Sequence, residues 1–235
     1  MKRFYRTVTV EPTDGNWRVL LDGRPIKTAG GRPQLVPARA LAEAMAAEWA
    51  GQGEEIDTEA FSLRRLADYA IDIVAPCADD AVRDLLRFAE TDTLCYRAEP
   101  ADALYVRQIE VWEPLVTAAE ARWDVAFVRI EGIIHRPQPA ETLARMHAAL
   151  ASYDDFTLAA INELANLAAS LLIALAAVEP GADAQTLWDA AILEEGWQAG
   201  LWGRDAEAEA RRARNFVCFE AAMRFARLVR SGDPA

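Results

Sequence analysis

The stretch FYRTVTVEPTDGNWRVLLDGRPIKT, residues 4–28, decides the fold of the N-terminal part of this chain. Side chains alternate along residues 4–10 and again along residues 17–21, which is the period of two expected of β-strands. Residues 13–16 supply a turn, and Asp22-Gly23 favours a two-residue type I′ hairpin. Pro25 cannot donate to a ladder, so the returning strand should lie at an edge. The stretch predicts a small antiparallel sheet.

Helical spacing takes over after this sheet. Pro37 fits the start of a helix over residues 38–50 that should cover the sheet. Beyond residue 57 the pattern is mainly helical, although Pro114 must kink its helix or start a new one. We expect four late helices, and a short strand pair between Val125 and Ile134. The helices are expected near residues 140–152, 154–178, 183–202 and 205–230.

These patterns predict an α+β fold with two domains. The first, residues 1–57, is a small antiparallel β-rich domain with one covering helix. The second, residues 58–235, is larger and mainly α-helical.

Composition limits the function. The formal net charge is −12, but residues 1–39 carry 8 basic and 3 acidic residues, whereas the remaining 17 basic and 34 acidic residues give −17. This acidic bulk argues against nucleic acid as a partner, and a basic lobe on an acidic body could orient a protein partner. The longest apolar run, residues 168–178, is too short to span a membrane. The N-terminus enters its strand pattern directly and the cysteines lack CxxC spacing, which predicts a cytoplasmic protein in a reducing compartment.

The sequence contains few motifs that indicate a metal site, a cofactor site or a catalytic site. His135 and His147 have no cysteine nearby and no HExxH spacing, so we predict no metal site. No phosphate-binding loop or GxSxG motif occurs, so we predict no cofactor. The remaining enzymatic hypothesis is acid–base chemistry by a carboxylate pair, either Glu194 with Glu195 or Asp92 with Glu90. Solvated acidic pairs are common in so acidic a chain, which favours a structural interpretation.

Residues 193–203, LEEGWQAGLWG, concentrate acids, a glutamine and two tryptophans within about three helical turns. On a helix, one line contains Leu193, Trp197 and Leu201, and we expect it to face the core. A neighbouring line contains Glu194, Gln198 and Trp202, and we expect it to face a partner. The alternative is that the aromatic residues simply belong to the core.

Residues 91–97, TDTLCYR, form a second candidate segment. Asp92 can cap or brace a turn, while Tyr96 and Arg97 can pin one domain to another through stacking and charge-assisted hydrogen bonds. The alternative is a packed strand or turn without a binding role.

Seven motifs follow one another across nearly the whole chain: Arg3-Phe4-Tyr5, residues 21–28, Glu48-Trp49 with Gln52, Asp92 with residues 94–97, Gln108 with Trp112 and Pro114, residues 137–139, and residues 193–203. Together they resemble the Atp-twelve family of F-type ATP synthase assembly chaperones. Each is weak alone, and their order makes the resemblance specific. Two departures are Ala29, where the family commonly has proline, and Gly196, which interrupts a helix at a cost of about 1 kcal/mol relative to alanine.

The resemblance implies a non-enzymatic chaperone that binds the unassembled alpha subunit of the synthase's catalytic sector and shields its interfaces until it pairs with beta. The family's functionally important acid corresponds best to Glu194, with Glu195 the next candidate. We therefore expect a monomer whose interface stays available, in the bacterial cytoplasm, with eukaryotic relatives in the mitochondrial matrix. A carboxylate-pair enzyme and a passive protein-binding scaffold remain the alternatives. The predicted partner-binding residues are Glu194, Glu195, Gln198, Trp202, Asp92, Tyr96 and Arg97.

Overall fold

The computed structural model describes residues 1–132, 134–203 and 205–231. Its strands and helices have the α+β composition that the sequence predicts, with an antiparallel sheet near the N-terminus and a mainly helical remainder. The strands are β1 (Val8–Thr13), β2 (Asn16–Leu21), β3 (Arg24–Pro25), β4 (Tyr96–Arg97) and β5 (Ile130–Glu131). The helices are α1 (Arg39–Ala50), α2 (Ser62–Tyr69), α3 (Ala78–Glu90), α4 (Ala103–Trp123), α5 (Ala140–Ala151), α6 (Asp155–Ala168), α7 (Leu171–Ala177), α8 (Ala184–Ala191), α9 (Leu193–Trp202) and α10 (Ala206–Arg230).

The N-terminal sheet has the order β1-β2-β3, with both pairs antiparallel. Asp22 and Gly23 have φ angles of 49° and 76°, as a type I′ hairpin requires, and β3 is the predicted edge strand. The first strand begins later than the alternation predicts, at Val8. The reason is local: the backbone N–H groups of Arg6 and Thr7 donate to the Asp22 carboxylate instead of to a strand.

The chain folds into two compact units. Among the described residues, unit 1 comprises 1–78, 154–160 and 221–231, and unit 2 comprises the described parts of 79–153 and 161–220. In unit 1, α1 packs on β1 and β2, and buries Leu41, Met45 and Trp49. Helix α2 belongs to the same unit as the sheet, and the domain boundary predicted at residue 57 stays a prediction.

Two acids of α2 and the turn after it hold the loop that follows β3. The Asp72 carboxylate accepts hydrogen bonds from the Thr28 hydroxyl at 2.8 Å and from the Gly30 N–H at 2.7 Å. Asp68 accepts from the Ala29 N–H and from the Gln34 amide. A Cβ on Gly30 would lie 2.7 Å from an Asp72 oxygen, so any larger residue there would displace this carboxylate from its hydrogen bonds.

In unit 2, α4 packs against α7 and α9. Trp112 and Val116 of α4 are fully buried, and the helix is continuous through Pro114, which therefore does not start a new helix. The predicted strand pair between Val125 and Ile134 is wrong. In that range only Ile130–Glu131 is a strand among the described residues, and it pairs in parallel with β4.

Two predicted long helices are each divided in the structure. The helix expected over residues 154–178 breaks at Ala169, whose φ is 49°, and α7 restarts with Ser170 as its N-cap. The helix expected over residues 183–202 breaks at Ile192, between α8 and α9. Neither break contains Gly or Pro, and Ser170, a favoured N-cap residue, is a local signal for the first break only.

Candidate functional site

Helix α9 is fastened at its first turn by a buried glutamine of α4. The Gln108 amide nitrogen donates to the Glu194 carboxylate at 2.6 Å, and the Gln108 amide oxygen accepts from the Ala98 N–H at 2.8 Å. Gln108 is fully buried and Glu194 is half-buried. Burial raises the pKa of Glu194, while the hydrogen bond from Gln108 acts in the opposite direction. Glu194 is therefore an internal anchor.

A second bond from α4 secures the helix before the break. Trp112 lies one turn after Gln108, and its indole N–H donates to the Ala190 carbonyl oxygen at 2.8 Å. Thus two side chains at i, i+4 spacing on α4 hold both sides of the α8–α9 junction. The motif Gln108 with Trp112 supports the fold at this point.

The end of α9 projects apolar side chains into solvent. Leu201 is 65% exposed and Trp202 is 86% exposed, and Gln198 one turn earlier is also exposed. We call Gln198, Leu201 and Trp202 the α9 tip. It combines two large apolar side chains with an amide that can donate and accept hydrogen bonds. Such a surface suits protein contact.

The predicted division of α9 into an inner and an outer line is partly wrong. Gln198 and Trp202 face outward as expected, but Glu194 of the same line faces Gln108. Leu201, expected to face the core, is exposed, while Leu193 and Trp197 are half-buried. The break at Ile192 lets the first turn dock on α4 while the last turn extends beyond the packed surface.

Glu194 and Glu195 have different partners. The Arg212 guanidinium donates to the exposed Glu195 carboxylate at 3.1 Å, whereas Glu194 accepts from Gln108. In the other proposed acid pair, Glu90 is exposed and Asp92 is completely buried. The members of each pair thus lie in different surroundings, which gives no support to the hypothesis of a catalytic carboxylate pair.

Asp92 braces a turn inside unit 2. Its carboxylate accepts from the Leu94 N–H at 3.1 Å, the Ser170 hydroxyl at 2.7 Å and the Leu172 N–H at 3.0 Å. Ser170 in turn caps α7 by accepting from the Ile173 N–H. Burial raises the pKa of Asp92 to about 6, against the opposing effect of these hydrogen bonds. Any influence of Asp92 on a partner must therefore act through the shape of this turn.

Arg97 is also internal, whereas Tyr96 reaches the surface. The Arg97 guanidinium lies 2.6 Å from the Glu113 carboxylate, which Arg129 also contacts at 2.7 Å. Hydrogen bonding from Arg129 is the main cause that lowers the pKa of Glu113, with Arg97 contributing. The half-buried Tyr96 hydroxyl lies 2.7 Å from His135 Nδ1. These contacts all lie within unit 2.

The structure thus separates the seven predicted site residues into two sets. Those exposed or at the surface are Glu195, Gln198, Trp202 and Tyr96; those committed to internal contacts are Glu194, Asp92 and Arg97. Sequence reasoning missed Leu201 as a surface residue, and the only signal for it was its place in the last turn of the helix.

No group of three or more His, Cys, Asp or Glu side chains suited to a metal ion occurs among the residues that the structure describes. Within the same residues, no helix combines the length and the apolar character needed to cross a bilayer.

Comparison with known proteins matches residues 2–120 to a family described as ATP12 chaperone protein. The crystal structure of Atp12 from Paracoccus denitrificans is similar over 97% of this chain and 98% of that one, with 38% identity and a TM-score of 0.92. The Atu1473 protein from Agrobacterium tumefaciens is similar over 97% of this chain and 85% of its own, with 36% identity and a TM-score of 0.92. The mitochondrial protein atp12 of Schizosaccharomyces pombe is 25% identical over 214 residues, which are 86% of this chain and 74% of that protein.

Proposed function

This chain belongs to the ATP12 chaperone family, and we propose that it binds the unassembled alpha subunit of the F-type ATP synthase catalytic sector. An unassembled ring subunit exposes the large apolar interfaces meant for its neighbours, and such patches associate wrongly unless they are covered. The chaperone covers them until alpha pairs with beta. This role requires binding alone, with no catalysis and no cofactor.

The observation that carries this proposal is the exposure of Trp202 and Leu201 at the α9 tip. Large aromatic side chains contribute most to binding when an interface buries them completely. Gln198 lies one turn before Trp202 and can supply hydrogen bonds beside the apolar contact. We assign the client contact to this tip and to the neighbouring Glu195, with Tyr96 as a further surface candidate.

Glu194, Asp92 and Arg97 act in this proposal as positioning residues. Glu194 holds the first turn of α9 on Gln108, and the direction of the α9 tip depends on that bond. Glu194→Gln keeps an acceptor oxygen for Gln108, whereas Glu194→Lys places a cation there and removes the acceptor. We therefore expect Glu194→Lys to impair binding of alpha more than Glu194→Gln.

The decisive experiment measures light scattering by isolated alpha, without nucleotide, in the presence of this protein. We expect the wild type to suppress aggregation and Trp202→Ala to lose at least about tenfold in potency, as removal of an interface hot spot would. Ile73→Ala is the matched control, because Ile73 is 56% exposed but lies in unit 1. Equal aggregation of alpha with and without the wild-type protein would refute the proposal. The predicted monomeric state and cytoplasmic location stay predictions.

A further inference from the structure

Unit 1 contains a groove with exposed apolar side chains at its rim, and the client contact assigned to the α9 tip does not use it. Its volume is about 640 Å³, and its floor includes the buried side chains of Tyr5, Leu21 and Trp49. At its rim, Met1 and Phe4 are 74% and 63% exposed. Exposed apolar side chains around a concave surface are typical of a binding site. The groove is built from the motifs Arg3-Phe4-Tyr5, residues 21–28 and Glu48-Trp49.

Trp49 and Arg64 line this groove, and each has a buried hydrogen-bond donor with no acceptor among the described residues. The donors are the indole Nε1 of Trp49 and the guanidinium Nε of Arg64. The two side chains are neighbours, because the Arg64 guanidinium carbon lies 5.0 Å from the centroid of the Trp49 ring. Buried donors without acceptors are rare and costly in folded proteins. Their common position indicates an acceptor supplied from outside the chain.

The positive charge of the groove favours a negatively charged hydrogen-bond acceptor. Arg24 and Lys27 are exposed at its edge, and they supply most of its uncompensated charge because the Arg64 guanidinium lies 3.8 Å from the Asp68 carboxylate. The one acid in the lining, Asp22, already accepts from the N–H groups of Arg6 and Thr7 and from the Thr7 hydroxyl. The lining therefore retains a net positive charge, and a carboxylate fits both the charge and the unpaired N–H groups.

We propose that this groove binds an extended segment of the client protein in which an aspartate or glutamate stands beside a large apolar side chain. The carboxylate accepts from Trp49 and Arg64, with Arg24 and Lys27 at the edge attracting it, and the apolar side chain packs on Phe4 and Met1. The inference rests on the proposed function for the identity of the client. The groove would be a second client contact, in unit 1, and it would favour segments in which an acidic residue lies beside a large apolar one.

The test uses overlapping peptides that cover the alpha subunit, with binding to the full chain followed by fluorescence anisotropy. We expect binding to concentrate in peptides that pair an acid with Leu, Ile or Phe. Lys27→Glu should weaken that binding at least about tenfold, since it reverses a charge at the groove. Arg136→Glu is the control, because it makes the same change in charge at an exposed position of unit 2. Equal effects of the two variants would overturn the proposal.

Trp49→Phe tests the unpaired donor directly. The variant keeps an aromatic ring against Tyr5 and Phe61 but lacks the N–H. A purely structural Trp49 predicts unchanged peptide affinity in the folded variant, whereas our proposal predicts a loss of at least about fivefold, as expected for a lost charge-assisted hydrogen bond. Circular dichroism identifies the folded variant, and Lys27→Glu keeps the proposal testable if Trp49→Phe fails to fold.

Other occupants give different results. If acetate at equal concentration displaces the peptide, the groove is a site for small carboxylates, and the proposal is wrong. If Lys27→Glu dissociates a dimer of this protein and leaves peptide binding unchanged, the groove binds a second copy of the chain, and the proposal is again wrong. Protection of alpha with unchanged peptide binding in both groove variants would reject this inference alone; absence of any protection would reject the proposed function.

Discussion

The turn at Asp92 and the end of helix α9 both belong to unit 2, and both lie in motifs that indicated a partner, yet they are built in opposite ways. At Asp92, a completely buried carboxylate accepts three hydrogen bonds and organises the start of α7. At α9, one bond to Gln108 fastens the first turn, and the last turn carries Leu201 and Trp202 into solvent. The difference shows that some motif residues stabilise the fold beneath a binding surface, whereas others are exposed where a partner can contact them.

The largest effect should follow from removing the buried carboxylate. Asp92→Ala leaves the Leu94 and Leu172 N–H groups and the Ser170 hydroxyl without their acceptor, so we expect a loss of about 3 kcal/mol in the free energy of unfolding. Urea denaturation at about pH 4 measures it, where the raised pKa keeps Asp92 protonated in the folded state. Glu90→Ala changes an exposed acid of the same segment and should alter stability by less than about 0.5 kcal/mol. Similar losses in the two variants would contradict the assignment of Asp92 to the support.

The next effect concerns pH. Burial raises the pKa of Asp92 from 3.8 to about 6, so the folded state holds this proton more tightly than the unfolded state. Its contribution to stability is present below the unfolded pKa and is lost as the pH rises through about 6, by roughly 3 kcal/mol. Other acids also titrate, so the measurement is the difference in unfolding free energy between wild type and Asp92→Asn from about pH 4 to about pH 6.5. Parallel curves would show that Asp92 does not carry this dependence.

A smaller effect is expected at the base of α9. Gln108→Met keeps a long side chain but leaves the Ala98 N–H without an acceptor and Glu194 without its donor. We expect a loss of about 1–2 kcal/mol in urea denaturation, because the half-buried Glu194 can recover hydrogen bonds to water. Arg107→Met alters the adjacent, exposed position and should leave the unfolding midpoint unchanged. If Gln108→Met lost as much free energy of unfolding as Asp92→Ala, the base of α9 would be as important for stability as the Asp92 turn, and the contrast between the two regions would be wrong.

Short-range signals explain which parts of this structure could be predicted. Asp22-Gly23 specifies its hairpin by turn chemistry alone, and the spacing around Leu41 and Met45 specifies the helix that covers the sheet. The break before α7 depends instead on Ser170 meeting Asp92, which is 78 residues away in sequence. The direction of Glu194 likewise depends on Gln108, 86 residues away. Periodicity carries no information about such distant partners. The sequence therefore identifies the motifs but does not distinguish the residues that support the fold from those that can contact a partner.

The two glycines of α9 have a consequence for motion. A Cβ at Gly196 or Gly200 would meet no atom within 4 Å, so nothing in the described chain requires glycine at either position. Each glycine lowers the local stability of the helix by about 1 kcal/mol relative to alanine. Every residue of α9 is either half-buried or exposed, and none is buried, so α9 lies at the low end of the range of local unfolding free energies. Its amide protons should exchange with solvent well before those of α7, so the segment that presents Trp202 can open and re-form while the rest of its unit stays folded.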